Sequence, residues 1–247
     1  MHLSTDGIVI REKGTGESDR YVTLLTREYG VLHAFARGAK SVKSEKQSGT
    51  QIFAYARFCI TRGKDAYVVT EAQPLEVFFG LREDIERLSL AQYFCELAGE
   101  LAPEEMPAEE YLTLLLNSLY LLTHGKRPQP FLKAVMELRM MSISGYMPNL
   151  VACTECGKYI DDEMYFDRRS GCLYCRSCGE TGERLTPGVL AAMRHICFAE
   201  PKKLFSFTLS DDGLRRLADI TEGYMHTHLN HTFKTLQFYK SVLTMQT

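Results

Sequence analysis

The chain has 247 residues, of which 45% are apolar and 24% are charged, a composition that is ordinary for globular proteins and a length that allows two domains of modest size. The N-terminus has no basic region leading into an apolar core, and the most apolar segment, 112–122, is interrupted by polar residues, so neither a secretion signal nor a membrane span is expected. A formal net charge of −2 does not by itself indicate a nucleic-acid binder.

The first 80 residues have the pattern of short strands separated by turns. Segments rich in Val, Ile, Tyr, Phe and Thr predict five strands, at 7–11, 20–26, 31–37, 51–61 and 66–72. A long polar connection separates the third strand from the fourth. Five short strands with this spacing favour a small Greek-key barrel of the OB type, and an SH3-like barrel gives a similar pattern.

After Pro74 the apolar period changes from two to about 3.6, which predicts a helical region. Prolines, glycines and capping residues delimit six helices, at about 81–101, 107–124, 131–144, 187–198, 210–229 and 233–243. The predicted fold is therefore α+β. We expect an N-terminal OB-type domain at 1–80 and a helical domain at 81–247.

Two Cys-x-x-Cys pairs are the strongest local signal in the sequence. Cys153 and Cys156 form the first pair, and Cys175 and Cys178 form the second after 18 intervening residues. This spacing is typical of a closed four-cysteine zinc site, which is structural because no position is left for water. We therefore expect one structural Zn²⁺ in a ribbon at about 150–180, with two short strands between the pairs at 164–167 and 170–174.

Cys172 leaves an alternative open, because it forms a rival Cys-x-x-Cys with Cys175 that would leave Cys178 spare. The pair Cys175 and Cys178 is preferred since its longer gap has room for a hairpin. Unliganded cysteines and a dithiol redox site are the remaining alternatives. Cys59, Cys95 and Cys197 lie in apolar surroundings, so a reducing cytoplasm fits better than a disulfide framework.

No motif in the chain specifies a reaction. A zinc deaminase requires a His-x-Glu and a Pro-Cys-x-x-Cys, and neither pair is preceded by proline. Phosphate loops, dinucleotide fingerprints and nucleophile elbows are also missing from the sequence. The histidines His226, His228 and His231 are better explained as solvated residues at a helix end than as metal ligands.

A basic stretch after the third predicted strand is the best candidate for binding a partner. Arg37, Lys40, Lys43 and Lys46 face only Glu45 within ten residues, and the intervening glycine and serines let a backbone approach phosphates. A merely solvated loop is the alternative. Weaker candidates for phosphate contacts lie in or near the strands: Arg11, Arg20 and Arg27.

Aromatic residues on or beside the same strands could stack on bases, although about half of them must fill the barrel core. The sequence does not say which half. The candidates are Tyr29, Phe35, Phe53, Tyr55 and Tyr67.

Several segments in the same order resemble the RecO family of bacterial DNA repair proteins. They are the runs 16–26, 29–32, 37–40, 150–157 and 166–167, with Thr235 and Leu236 in the last helix. The resemblance covers nearly the whole chain.

The resemblance implies a non-enzymatic recombination mediator of the bacterial cytoplasm, associated with the nucleoid. Such a protein binds single- and double-stranded DNA, anneals complementary strands, contacts RecR and the C-terminal tail of the single-strand-binding protein, and helps to load RecA. The competing interpretation is a zinc-stabilised protein-interaction module that does not bind DNA directly.

Overall fold

A computed structural model describes residues 2–63 and 66–245. Within them the chain forms two compact units, one made of residues 2–126 and 233–245 and the other of residues 127–232. No helix of the described residues is long and apolar enough to cross a membrane.

The N-terminal part of the first unit is a closed five-stranded barrel. Its strands are β1 (His2–Thr15), β2 (Asp19–Thr26), β3 (Gly30–Ala36), β4 (Ala54–Arg62) and β5 (Tyr67–Val77). Around the barrel the order is β1-β2-β3-β5-β4, with β1 pairing back onto β4. A short parallel contact between β3 and β5 closes the barrel, and every other pairing is antiparallel. The predicted α+β fold with an N-terminal barrel is confirmed.

Alternate residues of each strand fill the barrel, as the period-two pattern predicts. The core is unusually rich in alanine, because small side chains let five strands close at a short diameter. Its buried members are Leu3, Val9, Val22, Leu24, Leu32, Ala34, Ala36, Ala39, Ala54, Ala56, Phe58, Ile60, Val69 and Ala72.

Two strands are longer than predicted. β1 begins at His2, five positions before the predicted start, because its early residues alternate between exposed and buried. β5 continues through Pro74 to Val77, and Pro74 stands at a register shift against β4, where a missing N–H is tolerated. β4 begins at Ala54 and not at 51, because Phe53 has a positive φ of 65° that interrupts extended structure.

Three helices complete the first unit: α1 (Ile85–Leu101), α2 (Glu109–Thr123) and, from the end of the chain, α6 (Lys234–Thr244). α1 begins later than predicted because Asp84 caps it, accepting from the backbone N–H groups of Glu86 and Arg87. α1 and α2 contact the outer face of β1 and β2. Ile8, Leu25 and Val31, which form one cross-strand row on the outer face of the barrel, are buried.

The second unit consists of a small four-stranded sheet and helices. In chain order it contains α3 (Gln129–Met141), a π-turn (Ser142–Tyr146), β6 (Asn149–Cys153), β7 (Met164–Asp167), β8 (Cys172–Cys175), β9 (Glu183–Leu185), α4 (Pro187–Phe198) and α5 (Asp211–His228). The sheet order is β6-β8-β7-β9. β8 is shifted from the predicted 170–174, because Gly171 turns the chain with a φ of 67°.

A buried ion cluster joins α3 to α5 in this unit. The ammonium group of Lys133 lies 2.8 Å from a carboxylate oxygen of Glu137 and 2.8 Å from one of Glu222, and Thr221 donates to Glu137 at 2.8 Å. Burial alone would lower the pKa of Lys133, but the two carboxylates raise it above its usual value. Lys133 is therefore charged, and its charge is compensated inside the unit.

We expect Lys133→Met to lower the free energy of unfolding by about 3–5 kcal/mol, because it leaves the fully buried Glu137 without its cation. Chemical denaturation measures the effect. Arg216→Met on α5 is the control, since its ion pair with Asp212 is exposed and should matter little. Equal stability of the two variants would show that the buried cluster does not support the packing of α3 on α5.

Candidate metal centre and nucleic-acid interface

Two similar turns present the paired cysteines. In the first, the N–H of Gly157 donates to Cys153 O at 2.9 Å, and Gly157 takes a φ of 73°. In the second, the N–H of Gly179 donates to Cys175 O at 3.2 Å. A glycine after each pair permits the tight turn that aims two thiols the same way.

The four sulfur atoms of Cys153, Cys156, Cys175 and Cys178 lie within 4.8 Å of one another. The sulfurs of Cys156 and Cys175 are 3.6 Å apart. Ligands about 2.3 Å from a tetrahedral zinc ion are separated by about 3.8 Å, so the arrangement is close to what that ion requires. The four thiols predicted from the sequence are thus brought together and could hold a metal ion.

Cys172 does not join this cluster. It stands on β8 three residues before Cys175, and residues at odd spacing on a strand point to opposite faces. Its sulfur instead lies 3.6 Å from the carbonyl oxygen of Ser170. The geometry therefore favours Cys178 over Cys172 as the fourth sulfur.

The pKa values of two of the four thiols are shifted in opposite directions. Burial raises the pKa of Cys153, but N–H groups of Cys156, Cys175 and Glu155 outweigh it and lower the pKa to about 6. Shared hydrogen bonds with Cys156 and Cys175 instead raise the pKa of Cys178 to about 12. A lowered pKa favours the thiolate form of Cys153, which is the form that binds a metal ion.

The basic loop, defined here as residues 37–46, is attached to the end of the barrel by hydrogen bonds. Asp19 accepts from the N–H of Gly38 at 2.7 Å, which lowers the pKa of that carboxyl group. The N–H of Lys40 donates to Ser18 O at 2.8 Å. The start of the loop therefore has a defined position beside the β1–β2 hairpin.

Arg20 fixes the chain just beyond the loop. Its side chain is 11% exposed, and one guanidinium nitrogen donates to Gln47 O at 2.7 Å and to Thr50 Oγ1 at 2.8 Å. Its Nε lies 3.9 Å from Glu12. A role for Arg20 in contacting DNA stays a prediction, and the bonds in this structure connect it to the protein.

The four predicted cations of the loop differ in their surroundings. The ammonium group of Lys40 donates to Gly16 O at 3.0 Å, and that of Lys46 donates to Val69 O at 3.4 Å. Arg37 and Lys43 are exposed, and neither forms an ion pair with a described residue. Arg37 and Lys43 are therefore the more available pair for a phosphate.

Arg11 lies on the open part of the barrel's outer face. It stands opposite Thr23 of β2, which pairs in turn with His33 of β3. The next row of the same face is Lys13, Tyr21 and Phe35. Lys13, Tyr21 and His33 were not identified from the sequence, although alternation along β1 to β3 could have found them once the pairing was known.

The structure also distinguishes the remaining aromatic candidates. Phe53 is buried, at 1% exposure, and cannot stack on a base. Tyr29 and Tyr67 pack partly against the barrel core, and Tyr67 donates to Glu105 at 2.8 Å. Of the three C-terminal histidines, His228 contacts Arg168 O at 2.9 Å.

An apolar groove lies in the second unit beside the cysteine cluster. It has a volume of about 330 Å³ and runs between the loop at 159–162 and α4. Ile160 and Tyr159 on the loop are 71% and 55% exposed, and Leu190 and Ala191 form part of the opposite wall. Arg194 lies under Tyr159, with its guanidinium carbon 4.2 Å from the ring centre.

A closed five-stranded barrel that is followed by helices and by a ribbon with four clustered cysteines defines a class of modular α+β proteins with a potential metal site. Comparison with known sequences gives the family. Residues 1–78 match the family model described as Recombination protein O N terminal, and residues 82–237 match the one described as Recombination protein O C terminal. The chain belongs to the RecO family of DNA repair proteins, so the resemblance seen in the sequence is confirmed.

The sequence is similar to those of named relatives along nearly its full length. The chain is 34% identical to the DNA repair protein RecO of Acetivibrio thermocellus over 98% of this chain and 97% of the relative. It is 32% identical to the DNA repair protein RecO of Symbiobacterium thermophilum, over 95% of each chain.

Proposed function

We propose that this protein is a non-enzymatic mediator of recombinational DNA repair in the bacterial cytoplasm, associated with the nucleoid. It binds single- and double-stranded DNA, anneals complementary strands and, with RecR, helps to load RecA onto strands coated by the single-strand-binding protein. Membership of the RecO family along both halves of the chain is the observation that carries this proposal.

In this proposal residues 1–80 are the DNA-binding domain and residues 81–247 are the helical domain with its ribbon at about 150–180. The basic loop supplies the phosphate contacts, chiefly through Arg37 and Lys43. Lys40 and Lys46 add positive charge while bonded to carbonyl oxygens. Arg11 extends the positive surface along β1. Arg20 holds the chain that follows the loop by donating to Gln47 O.

We expect Arg37→Ala with Lys43→Ala to weaken binding to all DNA sequences alike. The slope of log affinity against log salt concentration should become shallower by about one unit or more, because each lost phosphate contact means that fewer counterions are released on binding. These two are chosen because their removal breaks no bond that holds the loop. A salt titration of binding to single-stranded and duplex DNA measures the slope.

Lys202→Ala with Lys203→Ala is the matched control, since it removes two exposed charges from a short turn in the second unit. Wild-type slope in the loop variant would favour the alternative function, a zinc-stabilised interaction module, or a DNA surface elsewhere. The first positions to test would then be Arg215, Arg216 and Lys234.

The metal in this proposal is one structural zinc ion per chain, held by Cys153, Cys156, Cys175 and Cys178. The sulfur separations support zinc, because a structural zinc ion takes four ligands in a tetrahedron and four thiols leave no open position. Lys158, which pairs with Asp161 at 3.3 Å, supplies a positive charge near the thiolates. The ion would tie β6 to the end of β8, and it would carry out no chemistry.

We expect Cys153→Ser to abolish stoichiometric zinc and to lower the thermal stability of the second unit, because metal binding and folding are coupled. Metal analysis of the purified chain measures the first effect. Cys172→Ser is the control and should keep one zinc per chain. Loss of zinc in Cys172→Ser together with its retention in Cys178→Ser would contradict the assigned ligand set.

The partner surface in this proposal is the apolar groove of the second unit, which would take the acidic, apolar C-terminal tail of the single-strand-binding protein. Tyr159, Ile160 and Leu190 offer apolar contacts. A smaller pocket that shares Leu185 with the groove is lined by Arg184 and Arg216, which suit a carboxylate. Asp162 on the rim opposes that charge, so most of the affinity must come from apolar burial.

We expect Ile160→Ser to weaken binding of a labelled tail peptide about tenfold, since a largely exposed isoleucine becomes buried on binding. Fluorescence anisotropy measures the affinity. Val42→Ser is the matched control, because Val42 is 87% exposed but lies in the basic loop. If Ile160→Ser binds the peptide like the wild type, the tail binds elsewhere.

A further inference from the structure

One wall of the apolar groove in the second unit is a loop that has no buried side chain. This groove loop, residues 157–162, leads from the first cysteine turn to β7, and it contributes to the lining Tyr159, Ile160, Asp161 and Asp162. Every residue from 154 to 160 is exposed. A segment with few buried contacts of its own takes its order from the points at which it is bonded to the rest of the protein. The shape of the groove therefore depends on those points.

The first point of attachment is the cysteine turn itself. The N–H of Cys153 donates to Lys158 O at 2.9 Å, and the N–H of Gly157 donates to Cys153 O at 2.9 Å. The loop therefore leaves directly from the turn that carries Cys156, whose sulfur lies 3.6 Å from that of Cys175 on the other turn. A cation shared by the sulfurs would fix one turn to the other, and with it the start of the groove loop.

Arg194 of α4 is the second point of attachment. Its Nε donates to Leu150 O at 2.7 Å, and one terminal nitrogen donates to Val151 O at 3.0 Å and to Tyr159 O at 2.8 Å. Leu150 and Val151 precede the cysteine turn, whereas Tyr159 follows it. This one side chain therefore holds both the strand that enters the turn and the loop that leaves it. Its guanidinium group also lies against the ring of Tyr159, which orients that side chain in the groove.

The two attachments depend on each other, because they hold the same short segment from two sides. The guanidinium fork of Arg194 needs its three carbonyl oxygens in fixed positions, and the cysteine turn between them sets those positions. Without a shared cation the turn is held by backbone hydrogen bonds, such as that from the N–H of Thr154 to Leu173 O at 2.8 Å. Each such bond is weak compared with metal coordination.

The helices of the second unit have support of their own. α3, α4 and α5 each bury a face of apolar side chains, and the ion cluster of Lys133 joins α3 to α5. Loss of a cation from the cysteines should therefore loosen the groove loop before it affects the helices. The barrel and its basic loop lie in the other unit.

We propose that docking in the groove is conditional on the metal, so that the protein takes an acidic, apolar peptide only while its four cysteines hold a cation. Arg194 is the positioning residue that couples the state of the cysteine turn to Tyr159 and Ile160. The inference rests on the proposed tail-binding function and adds its regulation. DNA binding by the barrel does not respond to the metal, so the cysteine cluster controls partner docking separately from DNA binding.

The first test removes the metal from the full chain with a chelator and then restores Zn²⁺. Without metal, hydrogen exchange of the backbone N–H groups of 157–162 should become faster, while that of α3 and α5 should stay the same. Affinity for the labelled tail peptide should fall about tenfold or more, the factor expected when only about a tenth of the molecules keep the loop ordered. Oligothymidylate binding should stay within about twofold, because its site is independent. Zn²⁺ should reverse both changes.

Arg194→Ala tests the positioning role without altering a cysteine. It should keep one zinc per chain, yet weaken peptide binding about fivefold or more, since the loop loses a bond and a ring contact. Arg194→Lys should restore part of the affinity, because an ammonium group can still lie against the Tyr159 ring. In the metal-free protein Arg194→Ala should have little further effect, since both changes release the same loop.

Arg169→Ala is the matched control, because Arg169 is exposed in the turn between β7 and β8 and does not line the groove. It should bind zinc and the peptide like the wild type. Unchanged peptide affinity in the zinc-free protein would overturn the inference, and so would unchanged hydrogen exchange of 157–162.

If chelation also unfolds the helices, the zinc-loaded Arg194→Ala variant decides: weakened peptide binding supports the inference, and wild-type affinity overturns it. A zinc-loaded wild-type protein that does not bind the peptide would instead overturn the proposed function of the groove. The hydrogen exchange of 157–162 with and without metal would then still show whether the cysteine cluster controls the loop.

Discussion

Closure of the small barrel is the constraint on which the N-terminal surfaces depend. Five strands close only if the interior is narrow, and the six alanines of the core meet that condition. Closure fixes the register of every strand pair, and a shift of one residue would turn each side chain to the other face. That one register sets which residues fill the core and which lie on the outer rows of β1, β2 and β3.

The same register explains why the cations of the barrel have different surroundings. Arg20 pairs with Ala36 on the inward row, so its side chain reaches the end of the barrel and bonds to the chain at Gln47 and Thr50. Tyr21, one position later, is on the outward row. Two residues that are adjacent in the sequence thus have different roles: Arg20 bonds to the chain at the barrel end, and Tyr21 lies on the outer face.

The second unit is built on a different principle. Its sheet has four short strands, and its paired cysteines lie in turns that are closed by backbone hydrogen bonds. Four thiols held this close repel one another once ionised, so a cation would relieve the repulsion and tie the turns together. The buried Lys133 and its two carboxylates organise the helical side of the unit in a comparable way, by opposite charges placed in contact.

The sequence by itself determined the features that depend on local chemistry. Alternation and turn residues predicted the five barrel strands, Thr186 and Ser210 marked the starts of α4 and α5, and the cysteine spacing predicted the cluster. The tertiary structure decided what depends on partners distant in the chain. Only the extension of β8 over both cysteines places Cys172 on the face opposite Cys175. Only the barrel end buries Arg20, and only cross-strand pairing brings Lys13, Tyr21 and Phe35 into one row. The physical reason is that the chemistry of a side chain depends only on its own residue. Its burial and its neighbours depend on which strands pair, in which register, and on where the barrel closes.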